Sequence, residues 1–229
     1  MGRSPRWLYF TNREGGLATR KAVTPFWSMG GISDYWGIER GLSKDGFRAI
    51  CGVDEAGRGP LAGPVFAAAV ILPFGADIPG LDDSKKVTER ARDRLYATIV
   101  AEALAYGIAF ADHREIDDLN ILNATFLAMR RAVGMLAIKP DIALIDGNRD
   151  PGLGISSICI VGGDGKSVPI AAASILAKVS RDSYMKEMAI KYPQYGFERH
   201  KGYGTKLHYE KLREHGPSGI HRATFIRNL

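Results

Sequence analysis

Hydrophobic and polar positions alternate in blocks along the chain, and these blocks predict short strands and longer helices. Apolar runs of strand length, bounded by turn-forming residues, predict β-strands at residues 49–53, 65–72, 106–111, 142–145 and 155–161. Apolar residues recur at helical intervals in longer segments, which predict helices at residues 88–104, 116–137 and 168–191. A short basic helix is expected at residues 206–215, and Thr88 is expected to cap the helix that follows it.

The order of these elements favours the α/β class. Strands come first and then alternate with helices, which is typical of a mixed sheet covered by helices. Small residues open the helix at residues 168–191 and are expected to let it lie close against the sheet. Because residues 1–36 show no periodicity, we expect an N-terminal extension at residues 1–38, a catalytic domain at 39–194 and a basic C-terminal region at 195–229.

Composition limits the cellular setting of the protein. Only two of the 229 residues are cysteines, and both Cys51 and Cys159 lie in apolar runs, which indicates buried thiols in a reducing cytoplasm. Neither cysteine has a second cysteine or a histidine at the spacing of a structural zinc site. No apolar run has the length of a membrane span or of a secretory signal, so we expect a cytoplasmic protein without a membrane anchor.

The net charge of +6 is distributed unevenly along the chain. Lys and Arg outnumber Asp and Glu by 8 to 4 in residues 1–48 and by 8 to 3 in residues 191–229, whereas acids outnumber bases by 18 to 15 between them. Chance variation on a solvated surface would give such counts. The functional interpretation is that basic ends hold a polyanion while central acids hold the cations that touch it.

Two of the expected strands end in acidic residues. Val53 is followed by Asp54 and Glu55, and Ile145 is followed by Asp146. One acid in such a place is usually a cap or a turn residue, but acids at two strand ends meet in the crevice where α/β sheets bind ligands. Converging carboxylates without histidines suit Mg²⁺ or Mn²⁺, which prefer hard oxygen ligands.

Two glycine-containing segments resemble phosphate-binding loops but do not fit them. The segment GRGPLA at residues 57–62 matches the dinucleotide-binding fingerprint, yet a strand follows it where that motif requires a helix. The segment GKS at residues 165–167 resembles the end of a P-loop, but Ile160 stands where the first glycine is required. Since no Ser or Cys is paired with a His, the carboxylates remain the candidate chemical centre.

An ordered series of motifs over residues 39–229 resembles bacterial ribonuclease HII, a type 2 ribonuclease H. The series opens with GVDEAGRGPLAGPV at residues 52–65. It continues with DSKK at 83–86, NIL at 120–122, DGN at 146–148, AASILAK at 172–178, RD at 181–182, HKGYGT at 200–205 and GP at 216–217 ahead of HR at 221–222. The resemblance implies a ribonuclease H-like fold, with a mixed five-stranded sheet, flanking helices and a small helical C-terminal region.

The resemblance also implies a set of catalytic metal ligands. By motif position Asp54, Glu55 and Asp146 would hold two divalent ions, Mn²⁺ or Mg²⁺, and Asp164 occupies the place of a fourth acid. The family often has a lysine before that aspartate, whereas glycines stand there in this chain. Asp182 is the rival fourth carboxylate, but it lies four residues after Lys178, and we favour an intrahelical ion pair for it.

Other residues of the motifs would contact the substrate. The loop Gly57–Arg58–Gly59 has the chemistry to read a 2′-hydroxyl, because glycines let the backbone approach the nucleic acid closely. In the family, a tyrosine at the position of Tyr203 stacks beneath the deoxyribose that follows the ribonucleotide, although a tyrosine between glycines is more often a packed loop anchor. Phosphate contacts are expected from two residues of the DSKK motif, Ser84 and Lys85. His113, His208 and His215 are interpreted as ordinary surface or turn residues.

The function implied is that of a monomeric endoribonuclease. It would cleave the RNA strand of RNA/DNA hybrids and nick duplex DNA on the 5′ side of a single ribonucleotide, leaving 3′-hydroxyl and 5′-phosphate ends. Such incision belongs to ribonucleotide excision repair. Two alternatives are another ribonuclease H-like nuclease, such as a resolvase, and a non-catalytic nucleic-acid-binding protein. A DNA-only substrate would favour the first, and an absence of magnesium-dependent cleavage would favour the second.

Overall fold

A computed structural model describes residues 35–81 and 88–227, which contain a mixed five-stranded sheet. Its strands are β1 (Ile50–Ala56), β2 (Val65–Ile71), β3 (Ala105–Ala111), β4 (Ile142–Asp146) and β5 (Ser156–Ile160). In space the order is β3-β2-β1-β4-β5. The pairs β1–β2 and β2–β3 are antiparallel, whereas β1–β4 and β4–β5 are parallel. This arrangement confirms the expected fold class.

Helices cover both faces of the sheet. The described helices are α1 (Gly37–Lys44), α2 (Glu89–Glu102), α3 (His113–Gly134), α4 (Val168–Lys191), α5 (Phe197–His200), α6 (Lys206–His215) and α7 (Ala223–Ile226). One face of the sheet forms an apolar core with α3, and the other forms a core with α2 and α4. None of the helices in the described part of the chain is long and apolar enough to cross a lipid bilayer.

Close contact between β1 and α4 fixes the centre of the molecule. A Cβ atom on Gly52 would lie 2.1 Å from the carbonyl carbon of Pro169 and 2.3 Å from the backbone nitrogen of Ile170. Ala171, Ala172 and Ala173 are fully buried in the same interface. Small residues therefore bring this helix against the sheet, as the sequence indicated.

The helix α3 differs from the expected helix at residues 116–137. It begins at His113 because Asp112 and Glu115 form a capping box, in which each side chain accepts a hydrogen bond from the other residue's backbone nitrogen. Asn120 has a positive φ of 66° and interrupts the helix. Its side-chain oxygen accepts hydrogen bonds from the backbone nitrogens of Leu122 and Asn123, so the following turns start from a new cap.

The expected N-terminal extension overlaps the fold at its end. Residues 1–34 lie outside the described residues, but Tyr35 donates a hydrogen bond of 2.6 Å to the backbone oxygen of Asp164. Trp36 packs edge-on against Phe74, with ring centroids 5.4 Å apart. Residues 35–38 therefore belong to the folded domain, because two aromatic side chains outside any periodic pattern join them to it.

Replacing Gly52 with Ala is expected to destabilise the protein by about 3 kcal/mol or more, because backbone atoms of α4 occupy the space that the methyl group needs. Urea denaturation gives the change in the free energy of unfolding. Gly41→Ala is the matched control, since Gly41 is an exposed residue within α1 with no atom within 4 Å of its missing Cβ. The control variant is expected to be more stable by about 0.5–1 kcal/mol. Equal effects of the two changes would contradict the proposed close contact.

Candidate active site

Two strand ends bring carboxylates together beside α4. In the register of β1 and β4, Val53 pairs with Ile145, so the next residues, Asp54 and Asp146, are neighbours at the same edge of the sheet. Asp54 is on the same side of β1 as Gly52, because side chains alternate along a strand. That side faces α4, whose Ser174 hydroxyl interacts with the Asp54 carboxylate. The helix α4, packed closely against β1, therefore lies directly beneath the carboxylates of the site.

The acidic side chains of the site repel one another. Burial raises the pKa of Asp54 well above its usual value, and the charges of Glu55 and Asp146 raise it further. Burial also raises the pKa of Glu55, where the nearby Arg58 guanidinium, 3.5 Å away, acts in the opposite direction. Such a group of acids lowers its free energy when a cation binds between its members.

A tight turn after β5 places Asp164 next to this pair of strand ends. The backbone nitrogen of Gly163 donates a hydrogen bond of 2.6 Å to Oδ1 of Asp146. Gly162, with φ 64°, starts the turn in the left-handed conformation that favours glycine. Asp164 follows directly and is buried, with a relative exposure of 5%. The glycines that depart from the family pattern are therefore the residues that shape this turn.

Asp182 takes part in ion pairs. Its Oδ1 accepts a hydrogen bond of 2.7 Å from Nζ of Lys178, and its Oδ2 lies 3.9 Å from a guanidinium nitrogen of Arg92. The expected intrahelical ion pair is confirmed. A carboxylate already engaged by two cations is a poorer candidate for a metal ligand, because a metal ion would have to replace these partners.

The carboxylate oxygens of the site are the type of ligand that divalent cations prefer, although their side chains are not arranged around a common point. Across residues 35–81 and 88–227, no three His, Cys, Asp or Glu side chains meet at metal-binding spacing. Asp54, Glu55 and Asp146 nevertheless supply hard carboxylate oxygens at one edge, and their mutual repulsion raises pKa values there.

The loop after β1 is held from below by Arg222. Its guanidinium donates hydrogen bonds to the backbone oxygens of Gly57 at 2.6 Å, Arg58 at 2.8 Å and Gly63 at 2.9 Å. Since the C=O and N–H groups of a trans peptide point in opposite directions, the N–H groups of Arg58 and Gly59 point away from Arg222. The loop therefore turns two backbone donors away from the interior.

A second buried arginine, Arg181 of α4, supports the same loop. It donates hydrogen bonds to the backbone oxygens of Ala62, Pro64 and Lys201, at 3.0 to 3.3 Å. A Cβ atom on Gly57 would lie 2.0 Å from Nε of Arg181, and Gly57 has a φ of 98°, so glycine is required there for both space and backbone conformation.

Tyr203 forms part of the opposite wall of the cleft. The residue is 43% exposed, and its ring centre lies 5.6 Å from the guanidinium carbon of Arg181. A Cβ atom on Gly59 would lie 3.9 Å from Cε1 of this ring. A cleft of about 290 Å³ is lined by Glu55, Ala56, Gly57, Arg92, Ser174, Ile175, Lys178 and Tyr203. The structure thus brings together one of the expected acids, the glycine loop and the tyrosine. Ser84 and Lys85 lie outside the described residues.

Sequence reasoning missed a group of buried histidines behind Tyr203. His208 was expected at the surface or in a turn but is fully buried, because it packs between the rings of His200, His221 and Phe197. Burial lowers the pKa of His208, and it lowers that of His221 to about 4 with a further contribution from the neighbouring His208. The cluster is therefore neutral at pH 7. The exposed His215 agrees with expectation.

Asp54→Asn is expected to stabilise the metal-free protein, because it removes one of the mutually repelling buried charges. In buffer with EDTA at pH 7, a gain of about 1 kcal/mol would raise the melting temperature by roughly 2–4 °C in a protein of this size. The control is Asp118→Asn, which alters an exposed acid of α3 and is expected to change little. A melting temperature at or below that of the unchanged protein would argue against the repulsion.

The neutral His221 predicts a loss of stability in mild acid. Its pKa falls from 6.5 to about 4 on folding, so between these values the unfolded chain binds more protons than the folded protein. The free energy of unfolding should therefore be highest above pH 6.5 and decrease toward pH 4, by about 3 kcal/mol from this group. Urea denaturation over this pH range measures the slope, which His221→Asn should reduce. His215→Asn should leave it in place, and a slope unchanged by His221→Asn would contradict the assignment.

Comparison with known proteins agrees with this geometry. The family model described as Ribonuclease HII matches residues 51–228. The chain is 55% identical over 196 residues to Ribonuclease HII of Caldicellulosiruptor bescii, which covers 86% of this chain and 95% of that protein. Ribonuclease HII of Burkholderia thailandensis is 58% identical over 176 residues, or 77% of this chain and 82% of that protein.

Solved structures show the same fold. The crystal structure of ribonuclease H2 from Pyrococcus horikoshii superimposes with a TM-score of 0.67 at 27% identity, covering 78% of this chain and 94% of that one. Bst-RNase HIII in complex with Mn²⁺ superimposes with a TM-score of 0.61 over 79% of this chain and 68% of that one. At 19% identity, the second likeness concerns the fold alone. With a matching family model and relatives above 50% identity, the chain belongs to the ribonuclease HII family and is a ribonuclease H, which acts on RNA paired with DNA.

Proposed function

We propose that the cleft binds a duplex at a ribonucleotide and hydrolyses the phosphodiester bond on its 5′ side, leaving 3′-hydroxyl and 5′-phosphate ends. The observation that carries this proposal is a single cleft lined by Glu55 from the acidic strand edge, by Gly57 from the glycine loop and by the exposed Tyr203. The same loop turns two backbone donors outward. The acids would serve the chemistry, and the other two features would select the sugar.

The carboxylates of Asp54, Glu55, Asp146 and Asp164 would hold two divalent cations, Mg²⁺ or Mn²⁺. When bound, such ions activate a water molecule and stabilise the charge on the departing oxygen. The repulsion that raises the pKa of Asp54 supports this role, since a cation would relieve it. The fold itself accommodates a divalent ion, because Bst-RNase HIII was crystallised in complex with Mn²⁺.

Two features of the cleft would distinguish the sugars on either side of the cut. The backbone N–H groups of Arg58 and Gly59, turned outward by Arg222, would donate to the 2′-hydroxyl of the ribonucleotide. Tyr203, with much of its ring exposed, would pack beneath the deoxyribose that follows. Such a pair recognises an RNA-to-DNA junction in addition to a continuous hybrid.

The two parts of the chain would divide catalysis and substrate binding between them. Residues 39–194 would form the catalytic part and residues 195–229 the basic part that holds the duplex, with Ser84 and Lys85 contributing phosphate contacts. We also propose a monomeric, cytoplasmic enzyme that acts in ribonucleotide excision repair. Free thiols at both Cys51 and Cys159 agree with a reducing compartment.

A duplex with one ribonucleotide in a DNA strand tests the proposal. We expect one cut 5′ to the ribonucleotide with Mg²⁺ or Mn²⁺, no cut in the presence of EDTA and no cut in an all-DNA duplex. Asp146→Asn and Asp164→Asn should reduce the rate about a hundredfold or more, since loss of a metal ligand removes several kcal/mol of transition-state stabilisation.

The controls for this assay separate chemistry from binding. Asp182→Asn should reduce the rate less than Asp164→Asn, because Asp182 is engaged by Lys178 and Arg92. Duplex binding without metal should persist in both Asp146→Asn and Asp164→Asn. The reverse ranking of Asp164 and Asp182 would make Asp182 the fourth ligand. No cut at a lone ribonucleotide by the unchanged protein would refute the substrate assignment.

A further inference from the structure

Two imidazoles link the tyrosine of the cleft to a distant loop through buried hydrogen bonds. Nδ1 of His208 lies 2.9 Å from the backbone oxygen of Tyr203, and Nε2 of His208 lies 3.0 Å from Nε2 of His221. At the far end, Nδ1 of His221 accepts a hydrogen bond of 2.8 Å from the backbone nitrogen of Ser218. His208 belongs to α6, whereas His221 and Ser218 precede α7.

The hydrogen-bond partners of the two imidazoles allow only one arrangement of their protons. A carbonyl oxygen only accepts, so His208 carries a proton on Nδ1 and donates it to Tyr203. A backbone N–H only donates, so His221 is unprotonated at Nδ1 and, when neutral, carries its proton on Nε2. His221 then donates to the free Nε2 of His208. Each imidazole therefore fixes the tautomer of the other, and both are neutral.

The backbone of Tyr203 depends on this support because flexible residues flank it. Gly202 and Gly204 are its neighbours, and Gly202 has a positive φ of 84°. The backbone nitrogen of Tyr203 donates to the oxygen of His200 at 2.9 Å, while its oxygen also accepts from the nitrogen of Thr205 at 2.8 Å. Both of these bonds are local to the turn, and the peptide before Tyr203 is also anchored to the loop after β1, because the oxygen of Gly202 accepts from the nitrogen of Leu61 at 2.8 Å. On the other side, the peptide that follows Tyr203 has its oxygen bound by His208. His208, in contrast, ties the turn to a helix in the buried core.

We propose that His208, held in one tautomer by His221, is a positioning residue that aims Tyr203 at the substrate and so strengthens the preference for an RNA-to-DNA junction. The inference rests on the proposed role of Tyr203. Tyr203 is 43% exposed, so its position follows its backbone, and a small rotation of its peptide group would displace the ring. Displacements near 1 Å in positioning groups reduce enzyme rates about a hundredfold.

Two substitutions at His208 separate its two hydrogen bonds. The amide nitrogen of Asn lies near the place of Nδ1, so His208→Asn keeps a donor for the Tyr203 oxygen and loses the link to His221. The longer Gln places its amide near Nε2, so His208→Gln keeps an acceptor for His221 and loses the bond to Tyr203. The pair is matched in polarity and neutral charge, so differences between the variants report which bond matters.

The readout is the ratio of two cleavage rates, at a single ribonucleotide in DNA and within a continuous RNA strand paired with DNA. We expect His208→Gln to lower this ratio about tenfold, as for the loss of one stacking contact, and His208→Asn to keep it close to that of the unchanged enzyme. Cleavage of the continuous hybrid shows that each variant is folded and has its metal ligands in place. Equal ratios in all three proteins, or a larger fall in His208→Asn, would overturn the inference.

Two further measurements distinguish this inference from the proposed function. If Tyr203→Ala lowers both rates equally, the proposed role of Tyr203 fails, and the inference fails with it. If Tyr203→Ala lowers the ratio but His208→Gln does not, only the inference fails. In the unchanged enzyme, ¹⁵N spectra of labelled histidines should show the proton of His208 on Nδ1 and that of His221 on Nε2. The opposite tautomers would also overturn the inference.

Discussion

The cleft takes its shape from two buried arginine side chains that bind backbone oxygens. Arg181 and Arg222 are fully buried, and burial lowers the pKa of Arg222 to about 9, with a further contribution from the charge of Arg181. A buried guanidinium is unfavourable unless its donors are satisfied, and each of these arginines makes three hydrogen bonds to carbonyls, although Nη1 of Arg181 has no partner among the described residues. A planar group with five donors can hold several carbonyls at fixed angles, whereas a lysine could not.

Charges of both signs are therefore gathered at unfavourable positions around one cleft. The strand ends carry repelling carboxylates near Asp54, and the two arginines place positive charge beneath the glycine loop. Burial disfavours the charged form of each group, as the raised pKa of Asp54 and the lowered pKa of both arginines indicate. Divalent cations would compensate the acids, and a polyanionic backbone above the loop would compensate the arginines. Binding of the ions and of the substrate would thus offset the electrostatic free energy that these buried charges cost the folded protein.

The sequence predicted the fold because the signals for its elements are local. The helices at residues 168–191 and 206–215 have the expected bounds, and Thr88 caps α2 as predicted. The strand β1 runs beyond Val53 to Ala56, because its acidic end still pairs with β2. The polar residues after Val53 predicted a loop, but their backbones form strand pairs with β2 instead. The earlier start of α3 was readable in principle from Asp112 and Glu115, which have the spacing of a capping box.

The sequence also indicated where the acids would meet, but it did not reveal what supports the cleft. Asp54 and Asp146 follow apolar runs, so a local pattern marks them. The roles of Arg181, Arg222 and His208 depend on partners whose proximity exists only after folding. The bonds of Arg222 to the glycine loop, for instance, join residues 159 to 165 positions apart. The motifs at residues 181–182 and 221–222 marked both arginines, but neither periodicity nor motif spacing identifies their partners, and a basic residue in a tail is normally solvated.

Long-range backbone contacts also join the C-terminal region to the loop after β1. The backbone nitrogen of Leu61 donates to the oxygen of Gly202, that of Gly63 donates to Ile220, and that of Arg222 donates to Leu61. The C-terminal segment therefore binds the glycine loop through main-chain hydrogen bonds, which do not depend on side-chain identity. Because the loop and Tyr203 belong to one hydrogen-bonded unit, the distance between these two features, which we propose read the sugars, is set within the folded protein. In the proposed function, the region's basic charge would add affinity, while its backbone contacts would keep the glycine loop and Tyr203 at a fixed spacing across the cut.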